Sequence, residues 1–211
     1  MNENPFLWDL FHKVPIVGIV RGLTMEEVTQ ILPVYRAAGL TTIEITMNTP
    51  DAEEIIRYAV DNEQAGLNIG AGTVCTKSDL KKALDAGAQF IVTPILDKKV
   101  IKACAKKNIP IFPGAFTPSE IYKAWKWGAS MVKIFPAAQM DSAYIKELKG
   151  PLDQIKLLPT GGVSLENMPD FFAAGADGVG MGGQLLNKNL IQNKDWAALK
   201  IHFQQFIQKL Q

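Results

Sequence analysis

Trp127-Gly128-Ala129-Ser130-Met131-Val132-Lys133-Ile134-Phe135-Pro136 holds the end of a helix, a turn and a whole short strand within ten residues. Glycine is favoured just past a helix because the left-handed conformation there costs it little. The run that follows is apolar on both faces, as in a strand of a parallel sheet covered by helices. The same grammar recurs in Arg36-Ala37-Ala38-Gly39 before Thr42-Ile43-Glu44-Ile45-Thr46, in Asp85-Ala86-Gly87 before Phe90-Ile91-Val92-Thr93, and in Ala173-Ala174-Gly175 before Gly178-Val179-Gly180. These glycines stand 41 to 48 residues apart, room for two strand–helix units per interval.

The intervening strands are expected at Ile16–Val20, Asn68–Ala71, Ile109–Phe112 and Ile155–Leu158, each a short apolar run. Helix starts are marked as well. Thr24-Met25-Glu26-Glu27 and Thr117-Pro118-Ser119-Glu120 read as capping boxes, the second with proline at the first helical position. Thr49-Pro50-Asp51 and Ser164 read as further caps. Eight strands alternating with eight helices predict an α/β fold, a (β/α)8 TIM barrel formed by residues 1–211 as one domain; an open doubly wound sheet is the alternative. Residues 1–13 predict an extra N-terminal helix whose stripe of Phe6, Leu7, Leu10 and Phe11 would close the barrel bottom.

Composition narrows the function. The 211 residues are 47% hydrophobic and 20% charged, with Lys+Arg 22 against Asp+Glu 21 and a net charge of +1. That suits one folded domain and argues against a nucleic-acid or membrane-surface binder, which carries a clustered basic excess. With no apolar run of spanning length and no secretory pattern in Met1-Asn2-Glu3-Asn4-Pro5, a cytoplasmic location is expected. Cys75 and Cys104 form neither a CxxC pair nor a disulfide framework and read as free thiols. His12 and His202 fall in helical segments near opposite ends of the chain, so neither a metal site nor any other cofactor is expected.

Two residues break the apolar pattern of the strands. Lys133 sits in Met131–Phe135 on the sixth expected strand, and Glu44 sits in Thr42–Thr46 on the second. Layers inside such a barrel take side chains from alternate strands, so two even-numbered strands place lysine and glutamate in one layer. A buried structural ion pair is one reading, although desolvation makes it a poor way to fill a core. The other is chemical. Desolvation lowers a lysine pKa from roughly 10.4, freeing a neutral amine to attack a ketone. The resulting protonated Schiff base is an electron sink for breaking a neighbouring carbon–carbon bond, and a nearby carboxylate then shuttles protons.

Glycines mark the ends of the last two strands, in Pro159-Thr160-Gly161-Gly162 and Gly180-Met181-Gly182-Gly183. Small residues there let backbone N–H groups approach a phosphate, and barrels often bind phosphate after strands seven and eight. Gly70-Ala71-Gly72-Thr73 reads either as a tight turn or as a device that aims the Thr73 hydroxyl at a carboxylate. Arg21, at the end of the first strand, reads as a rim residue or as an anion clamp. Phe135 reads as a pocket wall. The lysines at 98, 99, 102, 106 and 107 read as a solvated helix face.

Six motifs in order, around Glu44, Gly70–Val74, Val92-Thr93-Pro94, Ile111–Gly114, Val132–Pro136 and Pro159–Gly162, resemble those of the 2-keto-3-deoxy-6-phosphogluconate (KDPG) aldolase family. The resemblance spans about residues 14–205. It implies a metal-independent class I aldolase on a (β/α)8 barrel, a homotrimer, that cleaves a phosphorylated 2-keto-3-deoxy sugar acid to pyruvate and glyceraldehyde 3-phosphate. Carried across, it makes Lys133 the Schiff-base lysine and Glu44 the general acid/base. Thr73, Pro94, Phe135 and Thr160 would line the pyruvate pocket, with Gly161, Gly162, Gly182 and Gly183 near the phosphate. Some members carry arginine after the catalytic glutamate, where this chain has Asn48; others, including enzymes for the galactonate epimer, pair an asparagine there with an arginine like Arg21. The epimer is therefore open, and so is an unphosphorylated substrate such as 4-hydroxy-2-oxoglutarate, because Gly183 offers a phosphate no hydroxyl. Away from the resemblance, two alternatives stand: a phosphate-binding barrel isomerase or decarboxylase, and a non-catalytic sugar-phosphate-binding barrel.

Overall fold

The computed structural model describes residues 5–63 and 66–210. The N-terminal helix expected over residues 1–13 is shorter, α1 (Trp8–Lys13), residues 1–4 lying outside the described ones, and from there the chain alternates between strand and helix. β1 (Ile16–Val20), α2 (Met25–Ala38), β2 (Thr42–Thr46), α3 (Ala52–Glu63), β3 (Asn68–Gly72), α4 (Lys77–Asp85), β4 (Phe90–Val92) and α5 (Lys98–Lys106) make the first half. β5 (Ile111–Phe112), β6 (Gly114–Ala115), α6 (Pro118–Lys126), β7 (Val132–Ile134), α7 (Ser142–Lys149), β8 (Leu157–Pro159), α8 (Met168–Ala173), β9 (Val179–Met181), α9 (Lys188–Gln192) and α10 (Trp196–Gln208) make the second.

The four glycines that define the sequence repeat all have positive φ: Gly39 at 100°, Gly87 at 95°, Gly128 at 104° and Gly175 at 98°. A side chain at those sites would strain the turn that sends each helix back to the sheet. The capping boxes at Thr24 and Thr117 form as expected, and a third, unanticipated, forms at Thr76 with Asp79. Thr49 differs. Its hydroxyl lies 3.0 Å from that of Thr46 and accepts the Gly22 N–H at 3.0 Å, so it ties the loops after β1 and β2 together instead of capping α3. Ser164 accepts from the N–H groups of Glu166 and Asn167, in the turn ahead of α8.

Every strand pairing is parallel, in a six-stranded sheet ordered β5-β4-β3-β2-β1-β9 and a three-stranded sheet ordered β6-β7-β8. The expected single ring of eight strands is thus not what the hydrogen bonds draw. Pro113 is one reason. It has no N–H to give, and the fifth strand divides there into β5, which pairs with β4, and β6, which pairs with β7. At the other seam β8 and β9 are short and meet through one bridge, Thr160 with Gly180.

Alternation along the strands separates two cores. Ile43 and Ile45 on β2 and Val132 and Ile134 on β7 belong to the large cluster shared with the helices. Val17, Phe90, Val92, Phe112, Met131 and Leu158 form a second cluster together with Phe6 and Phe11. The N-terminal segment therefore closes the end of the sheet where the strands begin, as the apolar stripe predicts, although only Phe6 and Phe11 of that stripe are buried while Leu7 is exposed. Asn68 at the start of β3 clamps it, accepting from the Leu7 N–H at 2.7 Å and donating to the Leu7 carbonyl at 3.0 Å. With this end plugged, chemistry is confined to the end where the strands finish. Among the described residues no helix is long and apolar enough to cross a membrane, and Cys75 and Cys104 are both free.

Candidate active site

Because Val132 and Ile134 face the helices, Lys133 between them must point the other way, above Met131 of the interior cluster. Glu44 is turned inward by the same logic between Ile43 and Ile45. Both are almost wholly buried, at 3% and 1% exposure. They do not form an ion pair: neither carboxylate oxygen of Glu44 has a hydrogen-bond partner. The Lys133 ammonium position lies 4.9 Å from the centre of the Phe135 ring. The buried structural pair is thereby set aside, and two desolvated groups are left with unused capacity.

Burial pushes the Glu44 carboxyl above its ordinary range, against the pull of Lys133 and Arg21. Burial pushes the Lys133 amine below its ordinary value; Glu44 opposes that and Arg21 adds to it. Each shift favours a neutral group, so a proton can be moved between substrate and protein at modest cost. Cys75, just past β3, is raised by its own burial and also feels Lys133.

A cavity of about 390 Å³ opens in front of Lys133. Of the residues singled out in the sequence, it brings together Arg21, Lys133, Phe135, Thr160, Gly161, Gly162, Gly180, Gly182 and Gly183. The two glycine pairs share one wall, since the Thr160–Gly180 bridge joins the strand ends from which they leave. Gly161 and Gly162, at φ of 85° and 79°, hold a left-handed turn. Glu44, Asn48, Thr73 and Pro94 are not among the lining residues. Glu44 lies deeper, on the second strand. Asn48 is exposed in the turn after β2, and Thr73 and Pro94 are half-buried beyond β3 and β4. Sequence reasoning missed Ile19, Leu23, Val163, Gln184, Leu186 and Lys188, which complete the lining. Alternation along β1 signals Ile19, but the others stand on loops or, for Lys188, at the start of α9, and their meeting is a tertiary event. Among the described residues no group of three or more His, Cys, Asp or Glu side chains is placed to hold a metal ion.

Gly72 supplies the seat for Glu44. A Cβ built there would stand 2.7 Å from Glu44 Cδ and 3.2 Å from Thr46 Cγ2, so the carboxylate occupies the room a side chain would need. Gly72→Ala is expected to displace the carboxylate and lower kcat about a hundredfold while the protein stays folded. Steady-state kinetics with a melting curve checks this, and an unchanged kcat would show that the seat is not required.

The family model for KDPG and KHG aldolase matches residues 8–201. The chain belongs to that aldolase family. A 2-dehydro-3-deoxy-phosphogluconate aldolase from Haemophilus influenzae is 37% identical over 192 residues, 89% of this chain and 90% of the relative. A probable 2-dehydro-3-deoxy-6-phosphogalactonate aldolase from Rhizobium meliloti is 36% identical over 172 residues, 81% of each chain. Among solved structures, a KDPG aldolase from Legionella pneumophila, with pyruvate captured as a covalent carbinolamine, superposes with a TM-score of 0.86 at 26% identity, covering 92% of this chain and 95% of that one. Membership in the KDPG and KHG aldolase family makes the chain a class I aldolase, a lyase of carbon–carbon bonds. A desolvated, unpaired amine behind a cavity is the arrangement such chemistry needs.

Proposed function

We propose that this aldolase cleaves a 2-keto-3-deoxy-6-phospho sugar acid to pyruvate and glyceraldehyde 3-phosphate, with Lys133 as nucleophile and Glu44 as general acid/base. The observation that carries the reading is the buried Lys133 amine, held below its ordinary pKa and facing a cavity with no carboxylate bound to it. Lys133 Nζ attacks the C2 ketone, and loss of water gives a protonated Schiff base. Glu44, through a water, takes the proton of the C4 hydroxyl as the C3–C4 bond breaks and its electron pair flows into the iminium. The aldehyde leaves, the enamine is protonated at C3, and hydrolysis returns pyruvate and the free amine.

Arg21 is electrostatically coupled to both Lys133 and Glu44, which suits a clamp on the carboxylate next to the reacting ketone. Phe135 and Thr160 wall the pyruvate end, and the N–H groups of Gly161, Gly162, Gly182 and Gly183 receive the phosphate. Asn48, Thr73 and Pro94, in the turns after β2, β3 and β4, lie outside the lining of the cavity, and their place beside the substrate rests on the family resemblance alone. The pairing of Asn48 with Arg21 favours the galactonate epimer. Closure of the two sheets into an eight-strand barrel belongs to the same reading, supported by the continuous run Ile111–Ala115 across one seam and the Thr160–Gly180 bridge across the other. So do a cytoplasmic location and a homotrimer, for which exposed Phe116, Tyr122 and Trp125 offer apolar surface.

The test is a panel of keto acids: the gluconate and galactonate epimers, each with and without phosphate, and 4-hydroxy-2-oxoglutarate. The highest kcat/KM is expected for the phosphorylated galactonate epimer, with pyruvate as the common product. Pyruvate release from none of them would defeat the proposal.

A further inference from the structure

The cavity carries more positive charge than carbon–carbon chemistry at Lys133 requires. Arg21, Lys133 and Lys188 all line it, and no lining residue is acidic. Arg21 acts on the reacting pair, as its coupling to Lys133 and Glu44 records. Lys188 lies five residues beyond Gly183 on the segment that follows β9, and so belongs to the glycine side of the cavity. It is the first residue of α9, fixed by the preceding Asn187, whose side chain accepts from the N–H groups of Asn189 and Leu190 at 3.0 and 3.3 Å. No acidic residue occupies the first turn of α9 to offset it. Nearby Lys194 is paired with Glu26 at 2.8 Å, whereas Lys188 has no salt bridge among the described residues. An unpaired cation on a cavity wall without carboxylates is placed to meet an anion brought by the ligand.

We infer that Lys188, which shares the cavity lining with Gln184, is a specificity-determining residue that selects a substrate carrying a distal phosphate over one that lacks it. The assignment rests on the aldolase reading above. With the ketone fixed on Lys133 and the carboxylate on Arg21, the far end of a six-carbon sugar acid extends toward the glycine wall. Gly183 offers no hydroxyl there, so the side-chain contribution to phosphate recognition falls to Lys188, while backbone N–H groups supply orientation.

Lys188→Gln and Lys188→Arg test this, with kcat/KM measured on the phosphorylated keto acid and on 4-hydroxy-2-oxoglutarate. Lys188→Gln is expected to lower kcat/KM about tenfold on the phosphorylated substrate, chiefly through KM. The unphosphorylated one should stay within about twofold, because it makes no use of the charge. Lys188→Arg should recover most of the loss, and inorganic phosphate should inhibit Lys188→Gln about tenfold more weakly than the unaltered protein. Equal losses on both substrates, or none on either, would overturn the assignment and leave the aldolase reading standing. An unaltered protein that cleaves neither substrate would overturn both.

Discussion

Lys133→Ala is expected to abolish cleavage, a fall of about ten-thousandfold or more, without unfolding the protein. The loss follows from chemistry: Lys188, the other lysine of the cavity lining, is exposed where Lys133 is buried, and without an iminium at Lys133 the electrons of the breaking bond have nowhere to go. Preservation of the fold follows from packing. Lys133 has no ion-pair partner among the described residues, and its inward position is held by Val132 and Ile134, which pack on the helix side and are untouched by the substitution. Removing a desolvated, unpaired amine also removes a cost of folding, so the melting temperature should be equal or higher. Borohydride reduction in the presence of pyruvate, followed by peptide mass analysis, supplies the second measurement. The unaltered protein should gain a pyruvyl adduct on the peptide containing Lys133, and Lys133→Ala should gain none. Cleavage by the variant, an adduct elsewhere, or a collapsed melting curve would each contradict the assignment.

How much of this was legible beforehand depends on whether a feature is local. All eight strand positions could be read, because each rests on a short apolar run, four of them following a glycine that ends a helix. The division at Pro113 could not, although the proline is plain in the sequence. Its effect depends on which neighbour each half of the strand meets. Lys133 and Glu44 could be paired because charge inside an apolar strand is anomalous wherever it occurs, and alternation fixes the face. Gln184 and Lys188 gave no such signal. Both lie beyond the last strand in a polar stretch that resembles any surface turn, and only the approach of that turn to the Thr160–Gly162 loop makes it a wall. Thr49 illustrates the opposite error. Thr-Pro-Asp has the local signature of a helix cap, but the N–H of Gly22 and the hydroxyl of buried Thr46 compete for the same side chain, and the tertiary partners win.

Glu44→Gln separates imine formation from bond cleavage. Glutamine keeps the shape that Gly72 accommodates but holds its nitrogen without exchanging a proton, so cleavage should slow by about a hundred- to ten-thousandfold. Schiff-base formation with pyruvate needs only the Lys133 amine at its first step, and borohydride should still trap an adduct. The pH dependence of trapping carries a further sign. Burial holds the Lys133 pKa down while the Glu44 charge opposes that shift. With glutamine in place the opposition is gone, the ammonium form becomes less favourable, and the pKa falls further. Neutral amine therefore persists to lower pH, and the acid limb of the trapping profile should move toward acid in Glu44→Gln. A limb that stays in place would mean that Glu44 is already uncharged over that range and exerts no field on the amine. Full turnover by the variant would remove Glu44 from the proton path altogether, leaving a water or a substrate hydroxyl to carry the C4 proton unaided.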